Sequence, residues 1–224
     1  MKIPRPSPLP VPSTPGWLLC SAGLALVYAT TGSLGFLVPS YVGHFGLIWL
    51  PGGIAVCALF CLGYSCWPGV LVGSLLISYF HNGILGLGLS VAIANTLGPL
   101  LAVRLLRRWH FDPAFRHPYD ILLLVFAATS GMLVTAGGGT AWLAVLGRIQ
   151  PREYADQFFS WWASDTLGVV LLTPVLLALL PAGALAAVRA RAREFALWAL
   201  CTIGLGALLL LHRSSIGGVT LSMP

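Results

Sequence analysis

The chain has 224 residues, of which 58% are hydrophobic and only 8% are charged, and its formal net charge is +6. Ordinary soluble domains carry roughly 25% charged residues, so this composition excludes a water-soluble globular protein. The 12 basic residues stand at the ends of apolar runs and not along one polar face, so the positive charge gives no reason to expect nucleic-acid binding.

Proline content separates a short N-terminal segment from the rest of the chain. Residues 1–16 are rich in proline and contain Lys2 and Arg5, a composition typical of a disordered, extended cytoplasmic tail. Residues 6–103 contain no Lys, Arg, Asp or Glu. Because a helix of about 20 apolar residues crosses the hydrocarbon layer, the apolar part of this stretch has room for about four crossings joined by tight turns.

The hydrophobic pattern predicts an all-α fold, a polytopic transmembrane helical bundle with about seven spans. Residues 17–224 are expected to form one integral membrane domain behind the tail. The third span is short, and the edges of the others follow the ends of the apolar runs. We place the spans at residues 17–38, 46–65, 67–81, 84–106, 121–146, 157–180 and 195–211.

The distribution of the cations predicts the orientation in the membrane. Cytoplasmic loops are enriched in Lys and Arg, and nine cations fall on the side of the N-terminus against three on the other side. The N-terminus is therefore expected in the cytoplasm and the C-terminus outside. The inner set is Lys2, Arg5, Arg104, Arg107, Arg108, Arg116, Arg189, Arg191 and Arg193, and the outer set is Arg148, Arg152 and Arg213.

Asp165 is the one acidic residue inside a predicted span. At 1.5 Å per residue it lies about 12 Å from the outer end of its helix, where an ionised carboxylate costs a few kcal/mol unless it is paired or hydrated. Two interpretations stay open: a ligand or proton site, or a hydrogen-bonded carboxyl group that joins two helices. Asn95 lies at a similar depth in the fourth span and is the expected partner, together with hydroxyl groups of the fifth span at Thr129, Ser130 and Thr135.

Two further sequence features suggest a polar site. Residues 49–53 place Pro51 between a tryptophan and two glycines, which predicts either a proline-initiated helix or a backbone break whose free N–H groups bind a polar ligand. Trp161 and Trp162 adjoin Asp165, although aromatic residues near span ends also anchor helices at the headgroups. The candidate ligand-binding or polar-core residues are Asp165, Asn95, Trp49, Pro51, Gly52, Trp161 and Trp162.

The sequence indicates no metal, cofactor or catalytic site. His44, His81 and His212 fall on separate segments near the predicted outer face, and the five cysteines lack the paired spacing of a zinc or redox site. No serine, cysteine or threonine is accompanied by a convincing base. We therefore expect no enzymatic activity.

Several short motifs occur in a recognisable order from about residue 20 to residue 212. Together they resemble the first type of membrane-associated sensor domain, the MASE family, which is found ahead of diguanylate cyclase and histidine kinase domains. The motifs are Phe45-Gly46-Leu47-Ile48-Trp49-Leu50-Pro51 with Gly53-Ile54-Ala55, Trp67-Pro68-Gly69, Gly73-Ser74, Asn95-Thr96-Leu97, Pro99-Leu100-Leu101, Phe111-Asp112-Pro113, Asp120, Trp161-Trp162, Asp165-Thr166-Leu167-Gly168 and Pro174.

The resemblance implies a module of the bacterial inner membrane that detects a small-molecule ligand or a membrane protein partner and relays the signal to a cytoplasmic output domain. A homodimer is compatible with that role. An acidic residue is common in the family where Gly98 stands here. The chain ends at Pro224 on the predicted outer side, so an eighth span and the output domain are expected beyond it.

A small transporter or transporter subunit is the alternative function. Asp165, the many glycines and the proline-glycine segment at residues 51–53 favour it, with Asp165 in the path of a solute or proton. The two functions differ in one respect that can be checked, since a transporter needs no attached output domain.

Overall fold

A computed structural model describes residues 14–36, 48–82 and 85–179, which belong almost entirely to the first of the two compact units into which the chain divides after Ala178. The proline-rich tail up to residue 13 and the predicted seventh span at 195–211 lie outside these residues. Within them the chain forms six α-helices: α1 (Thr14–Gly35), α2 (Leu50–Leu62), α3 (Trp67–Asn82), α4 (Leu85–Arg108), α5 (Pro118–Val145) and α6 (Tyr154–Leu179).

Each of the first six predicted spans corresponds to one of these helices. Among the described residues, four helical segments are long and apolar enough to cross a membrane, in α1, α4, α5 and α6, whereas α2 and α3 are shorter apolar helices. Large apolar side chains are exposed along the outside of the bundle, for example Leu122 on α5 and Leu26 on α1. The described part of the chain is thus a multi-pass helical membrane protein.

The second span was predicted to begin at residue 46, but Ile48 and Trp49 are not helical and α2 begins at Leu50. Pro51 occupies the first turn, where its missing N–H costs no helical hydrogen bond and its fixed φ favours helix initiation. The helix ends at Gly63, whose φ of +103° lies in a region that L side chains rarely adopt. Of the two interpretations of residues 49–53, the proline-initiated helix is correct.

Glycines allow neighbouring helices to approach backbone to backbone. On α3, a Cβ atom added at Gly69 would lie 2.6 Å from the Ser21 carbonyl oxygen of α1, and one at Gly73 would lie 2.8 Å from Cβ of Tyr28. The four-residue spacing of these glycines puts both on the α1-facing side of α3, as in other small-residue contacts between membrane helices. The position of Tyr28 in the bundle follows from this contact.

The start of α2 is held against α6 by an even closer contact. The backbone N–H of Trp49 donates a hydrogen bond of 2.9 Å to the carbonyl oxygen of Ser164. A Cβ atom at Gly168 would overlap the Trp49 carbonyl group, and one at Gly53 would overlap the Gly168 carbonyl oxygen. Further along, the Thr173 hydroxyl donates to the Gly53 carbonyl oxygen at 3.2 Å. The backbones of α2 and α6 therefore touch directly.

Arg107 brings the C-terminal ends of α2 and α4 together. Its Nη2 donates to the carbonyl oxygens of Leu59 at 3.2 Å and Phe60 at 2.7 Å, which α2 leaves without helical partners. The guanidinium carbon also lies 4.6 Å from the centre of the Tyr64 ring. This end of the bundle also carries Arg108 and Arg116, and we call it the arginine-rich end.

The turn between α4 and α5 at the arginine-rich end is organised by the buried carboxylate of Asp120. One of its oxygens accepts the backbone N–H of Asp112 and the other that of His117, each at 3.0 Å. Asp112 in turn pairs with Arg116 at 2.6 Å. Asp112, His117 and Asp120 are close enough to hold a cation, but these hydrogen bonds already account for the carboxylate of Asp120 as a structural group.

The hydrogen bond from Arg116 holds the pKa of Asp112 below its ordinary value. A carboxyl group with a lowered pKa in the folded state stabilises that state above its unfolded pKa of about 4. The contribution is lost as the pH falls through the lower, folded-state pKa. The Asp112–Arg116 pair therefore supports the turn at neutral pH and ceases to do so in acid.

We expect Asp120→Asn to lower the free energy of unfolding by about 1–3 kcal/mol, because an asparagine offers one acceptor oxygen where two backbone N–H groups need one each. Thermal unfolding in detergent at neutral pH measures the effect. Asp156→Asn is the matched control, since Asp156 is an exposed acid in the first turn of α6. Equal unfolding temperatures for the two variants would contradict this account of the turn.

Candidate functional site

Five of the six helices, and the residue just before α2, each contribute a buried side chain with a polar atom to the centre of the bundle. None of these side chains is more than 7% exposed, although the surrounding helices are almost wholly apolar. We call this group the polar cluster. Its members are Tyr28 of α1, Trp49 just before α2, Ser74 of α3, Asn95 of α4, Thr135 of α5 and Asp165 of α6.

Two hydrogen bonds connect three of the helices within the polar cluster. The Asn95 amide nitrogen Nδ2 donates to the Ser74 hydroxyl at 2.9 Å, joining α4 to α3. The Thr135 hydroxyl donates to the Ala94 carbonyl oxygen at 3.4 Å, joining α5 to α4. These bonds orient Asn95 so that its amide oxygen is directed away from Ser74.

Four polar atoms of the cluster are unsatisfied. Both carboxyl oxygens of Asp165, the amide oxygen of Asn95 and the indole N–H of Trp49 are buried without a hydrogen-bond partner among the described residues. The Tyr28 hydroxyl lies beside the side chains of Trp49 and Ser74 and near the carboxyl group of Asp165. Because a buried polar atom without a partner costs about 1–3 kcal/mol, this arrangement stores unfavourable free energy in the centre of the bundle.

Asp165 adjoins a narrow space that is too tight for a water molecule. The sequence predicted that Asp165 faces the interior of the bundle, and its 1% exposure confirms this. The predicted neighbours Asn95 and Thr135 do line the same space, but no hydrogen bond joins them to Asp165. Thr129 is not part of it, since its exposed hydroxyl bonds to the carbonyl oxygens of its own helix.

A wider cleft of about 210 Å³ leads from this centre toward the connection between α5 and α6. Trp49 and Asn95 line both the narrow space and the cleft, so the two adjoin each other. Arg148 lies at the end of the cleft near the connection, where it is exposed. The complete lining is Phe36, Trp49, Ser74, Ile77, Ser78, Val91, Asn95, Leu143, Arg148, Ile149, Gln157, Trp161 and Ser164.

The structure brings most of the candidate residues together. Gly52 lines the narrow space beside Asp165, and Trp161 lines the cleft. Pro51 is buried at the start of α2 and lines neither space. Trp162 also lines neither, because its indole N–H donates to the Thr129 carbonyl oxygen at 3.0 Å and fastens α6 to α5. A ligand role for any of these residues stays a prediction.

Sequence reasoning missed two members of the polar cluster, Tyr28 and Ser74. Gly73 precedes Ser74 and is one of the glycines that bring α3 against Tyr28, so the glycine spacing was the signal that could have found them. Gly98, where the resemblance led us to look for an acidic residue, has no room for a side chain, since a Cβ atom there would overlap the Thr135 hydroxyl. Among the described residues, Asp165 is therefore the acid at this centre.

Comparison with known proteins agrees with the resemblance drawn from the motifs. The family model of MASE1 matches residues 13–224, which is nearly the whole chain. Neither the search of curated proteins nor the search of solved structures gave a match.

Proposed function

The chain belongs to the MASE1 family of membrane sensor domains, and on that premise we propose that it detects a ligand through the cleft and relays the signal to a cytoplasmic output domain. The observation that carries the proposal is the joining of the cleft to the polar cluster through Trp49 and Asn95. A ligand in the cleft contacts groups from several helices at once. Its binding can therefore favour one packing of those helices over another.

The unsatisfied atoms of the polar cluster explain why a second packing is within reach. Asp165 and Asn95 have acceptor oxygens without donors in the observed packing, so a packing that gives them donors gains about 1–3 kcal/mol for each group satisfied. Differences of a few kcal/mol between two states are what a ligand of ordinary affinity can overcome. We therefore propose that ligand binding shifts the equilibrium between two packings of the helices around the polar cluster.

We propose that the arginine-rich end faces the cytoplasm and that the cleft opens on the periplasmic side of a bacterial inner membrane. The support is the excess of cations at one end, together with the placement of Arg148 and Arg152 at the connection between α5 and α6. The N-terminus is then cytoplasmic, and about seven spans cross the bilayer in this chain. The proposed output domain is a histidine kinase or a diguanylate cyclase, and a homodimer is compatible with either.

Blocking the cleft tests the proposal in the full-length parent protein. Val91 lines the cleft, so the larger side chain in Val91→Trp fills the space that a ligand would occupy and favours one packing of the helices over the other. We expect the basal output, kinase phosphorylation or second-messenger level, to differ from wild type by about threefold or more. Ile93→Trp is the matched control, because Ile93 is 45% exposed on the outside of the same helix. Equal output from both variants and wild type would contradict the proposal.

A transporter that uses Asp165 in a solute or proton path is the second candidate, favoured by the burial of this acid among helix contacts. Cells that lack the parent gene can receive either residues 1–224 or the full-length protein. Solute uptake restored by residues 1–224 alone would favour transport and overturn the sensor. A kinase or second-messenger response restored only by the full-length protein would remove the support for transport.

A further inference from the structure

We propose that the cleft binds a small aromatic carboxylic acid, an aromatic ring with a carboxylate at one end. This inference rests on the proposed function, because it names the ligand class of the same site.

The mouth of the cleft is suited to a carboxylate. Arg148 lines it, is exposed, and has no carboxylate within ion-pair distance in the described part of the chain, where both ion pairs lie at the arginine-rich end. A guanidinium group binds a carboxylate through two parallel charge-assisted hydrogen bonds. Gln157 lies beside it on α6 and adds an uncharged donor. A cationic ligand would be repelled here by the positive charge of Arg148.

The walls of the cleft are suited to an aromatic ring. The rings of Phe36 and Trp49 meet edge to face with their centres 5.6 Å apart, and Trp161 forms part of the same lining. A further ring can continue such edge-to-face contacts, which are worth about 0.5–1.5 kcal/mol beyond the area that they bury. The remaining wall is aliphatic: Ile77, Val91 and Leu143.

The floor of the cleft is formed by Asn95 and Trp49, which also line the narrow space beside Asp165. The two side chains are only 5% and 7% exposed, and the Asn95 amide oxygen and the Trp49 indole N–H are buried away from the open part of the cleft. The floor therefore offers neither of these atoms to a bound ligand, and the aromatic ring ends against it.

The dimensions agree with such a molecule. A cavity of about 150 Å³ accommodates benzene, so the 210 Å³ of the cleft leaves room for a ring with a few more non-hydrogen atoms. Thr135, which bonds to the residue before Asn95, and Leu143 near the mouth are eight residues apart on α5. At 1.5 Å per residue the floor and the mouth are therefore separated by about 12 Å.

The probe is 4-hydroxyphenylacetate, titrated calorimetrically into the full-length parent protein in lipid nanodiscs at neutral pH. We expect one site per chain. Phenylacetate, which keeps both the ring and the acid, should bind comparably, and tyramine, which carries an amine in place of the acid, should bind about a hundredfold more weakly. Hexanoate, which has the acid without the ring, should also bind at least about tenfold more weakly.

Substitutions at the mouth of the cleft assign the contact with the carboxylate. Arg148→Gln should weaken 4-hydroxyphenylacetate binding about tenfold or more and reduce its advantage over tyramine. Arg152→Gln is the matched control, because Arg152 is an exposed cation of the same connection that does not line the cleft.

The ligand class is overturned if tyramine or hexanoate binds as tightly as 4-hydroxyphenylacetate, or if the Arg148 and Arg152 variants bind alike. It also fails if none of the probes binds. In that case an output change in Val91→Trp still supports the sensor, whereas normal output in Val91→Trp removes both proposals. If the probe binds with the expected selectivity but full-length protein shows no change in output, the ligand class stands and the sensing role fails.

Discussion

Gly168→Ala is expected to lower the free energy of unfolding by about 3 kcal/mol or more, although it adds a single methyl group. The added Cβ atom would overlap the backbone carbonyl group of Trp49. A backbone carbonyl cannot turn away as a flexible side chain can, so α2 and α6 would have to separate. Their separation would also strain the hydrogen bond from the Trp49 N–H to Ser164.

The same substitution at Gly23 is the control for Gly168→Ala. Gly23 lies on α1 with nothing within 4 Å of the position where a Cβ atom would stand. Alanine favours a helix over glycine by roughly 1 kcal/mol, so Gly23→Ala should leave stability unchanged or raise it. Thermal unfolding of both variants in the same nanodiscs gives the comparison. Similar unfolding temperatures would show that α2 and α6 are not in backbone contact at Gly168.

The contact at Gly168 also connects stability to the proposed function. Trp49 contributes its carbonyl group to the contact with α6 and its indole ring to the lining of the cleft. A displacement of α2 relative to α6 therefore changes the shape of the cleft. We expect the output of Gly168→Ala to be absent or to stay the same whether or not the signal is present. Gly23→Ala, expressed at the same level, should respond as wild type does.

The helices could be predicted from the sequence because residues 6–103 carry no charge and are expected in a membrane, where helices satisfy the hydrogen-bonding N–H and C=O groups of the backbone. The start of α2 could not be predicted from hydropathy, which continues through Ile48 and Trp49. It depends on Pro51, whose stereochemistry favours the first turn of a helix. Hydropathy describes the length of an apolar run, and local backbone chemistry determines where within that run the helix begins.

The site was only partly predictable for a related reason. The rise per residue placed Asp165 and Asn95 at similar depth, but the depth of a residue does not give the direction in which it faces. Trp161 and Trp162 were both candidates, and successive residues of a helix point about 100° apart, so only Trp161 lines the cleft. Tyr28 joins the polar cluster because of the contact between α1 and Gly73, which depends on how two helices pack.

Asp165→Leu is expected to raise the stability of the observed packing and to fix the output of the full-length protein in one state. Both carboxyl oxygens of Asp165 lack a donor among the described residues, so this packing carries an unfavourable term that leucine removes. An unsatisfied buried polar group costs about 1–3 kcal/mol, and leucine removes that cost. A bias of about 1–3 kcal/mol changes the ratio of two packings by roughly 5- to 150-fold.

The asparagine variant separates the two interpretations that the sequence left open for Asp165. In Asp165→Asn the side chain keeps its volume and gains two N–H donors for the acceptors around it, including the amide oxygen of Asn95, which lines the same space. If Asp165 belongs to the switch, both Asp165→Asn and Asp165→Leu unfold at higher temperature than wild type and no longer change output. If it is a structural link between helices, Asp165→Leu is destabilised while Asp165→Asn resembles wild type.

Asp156 is the control for these two variants, because it is an exposed acid in the first turn of α6, near the mouth end of the cleft. Asp156→Leu should leave output unchanged, since no described contact joins Asp156 to the polar cluster. Thermal unfolding and output are measured on the same preparations of full-length protein, so that loss of folding and loss of switching are distinguished. A stabilised Asp165→Leu protein that still responds would mean that the carboxyl group takes no part in the switch, and the polar cluster would then have to act through Asn95 and Trp49.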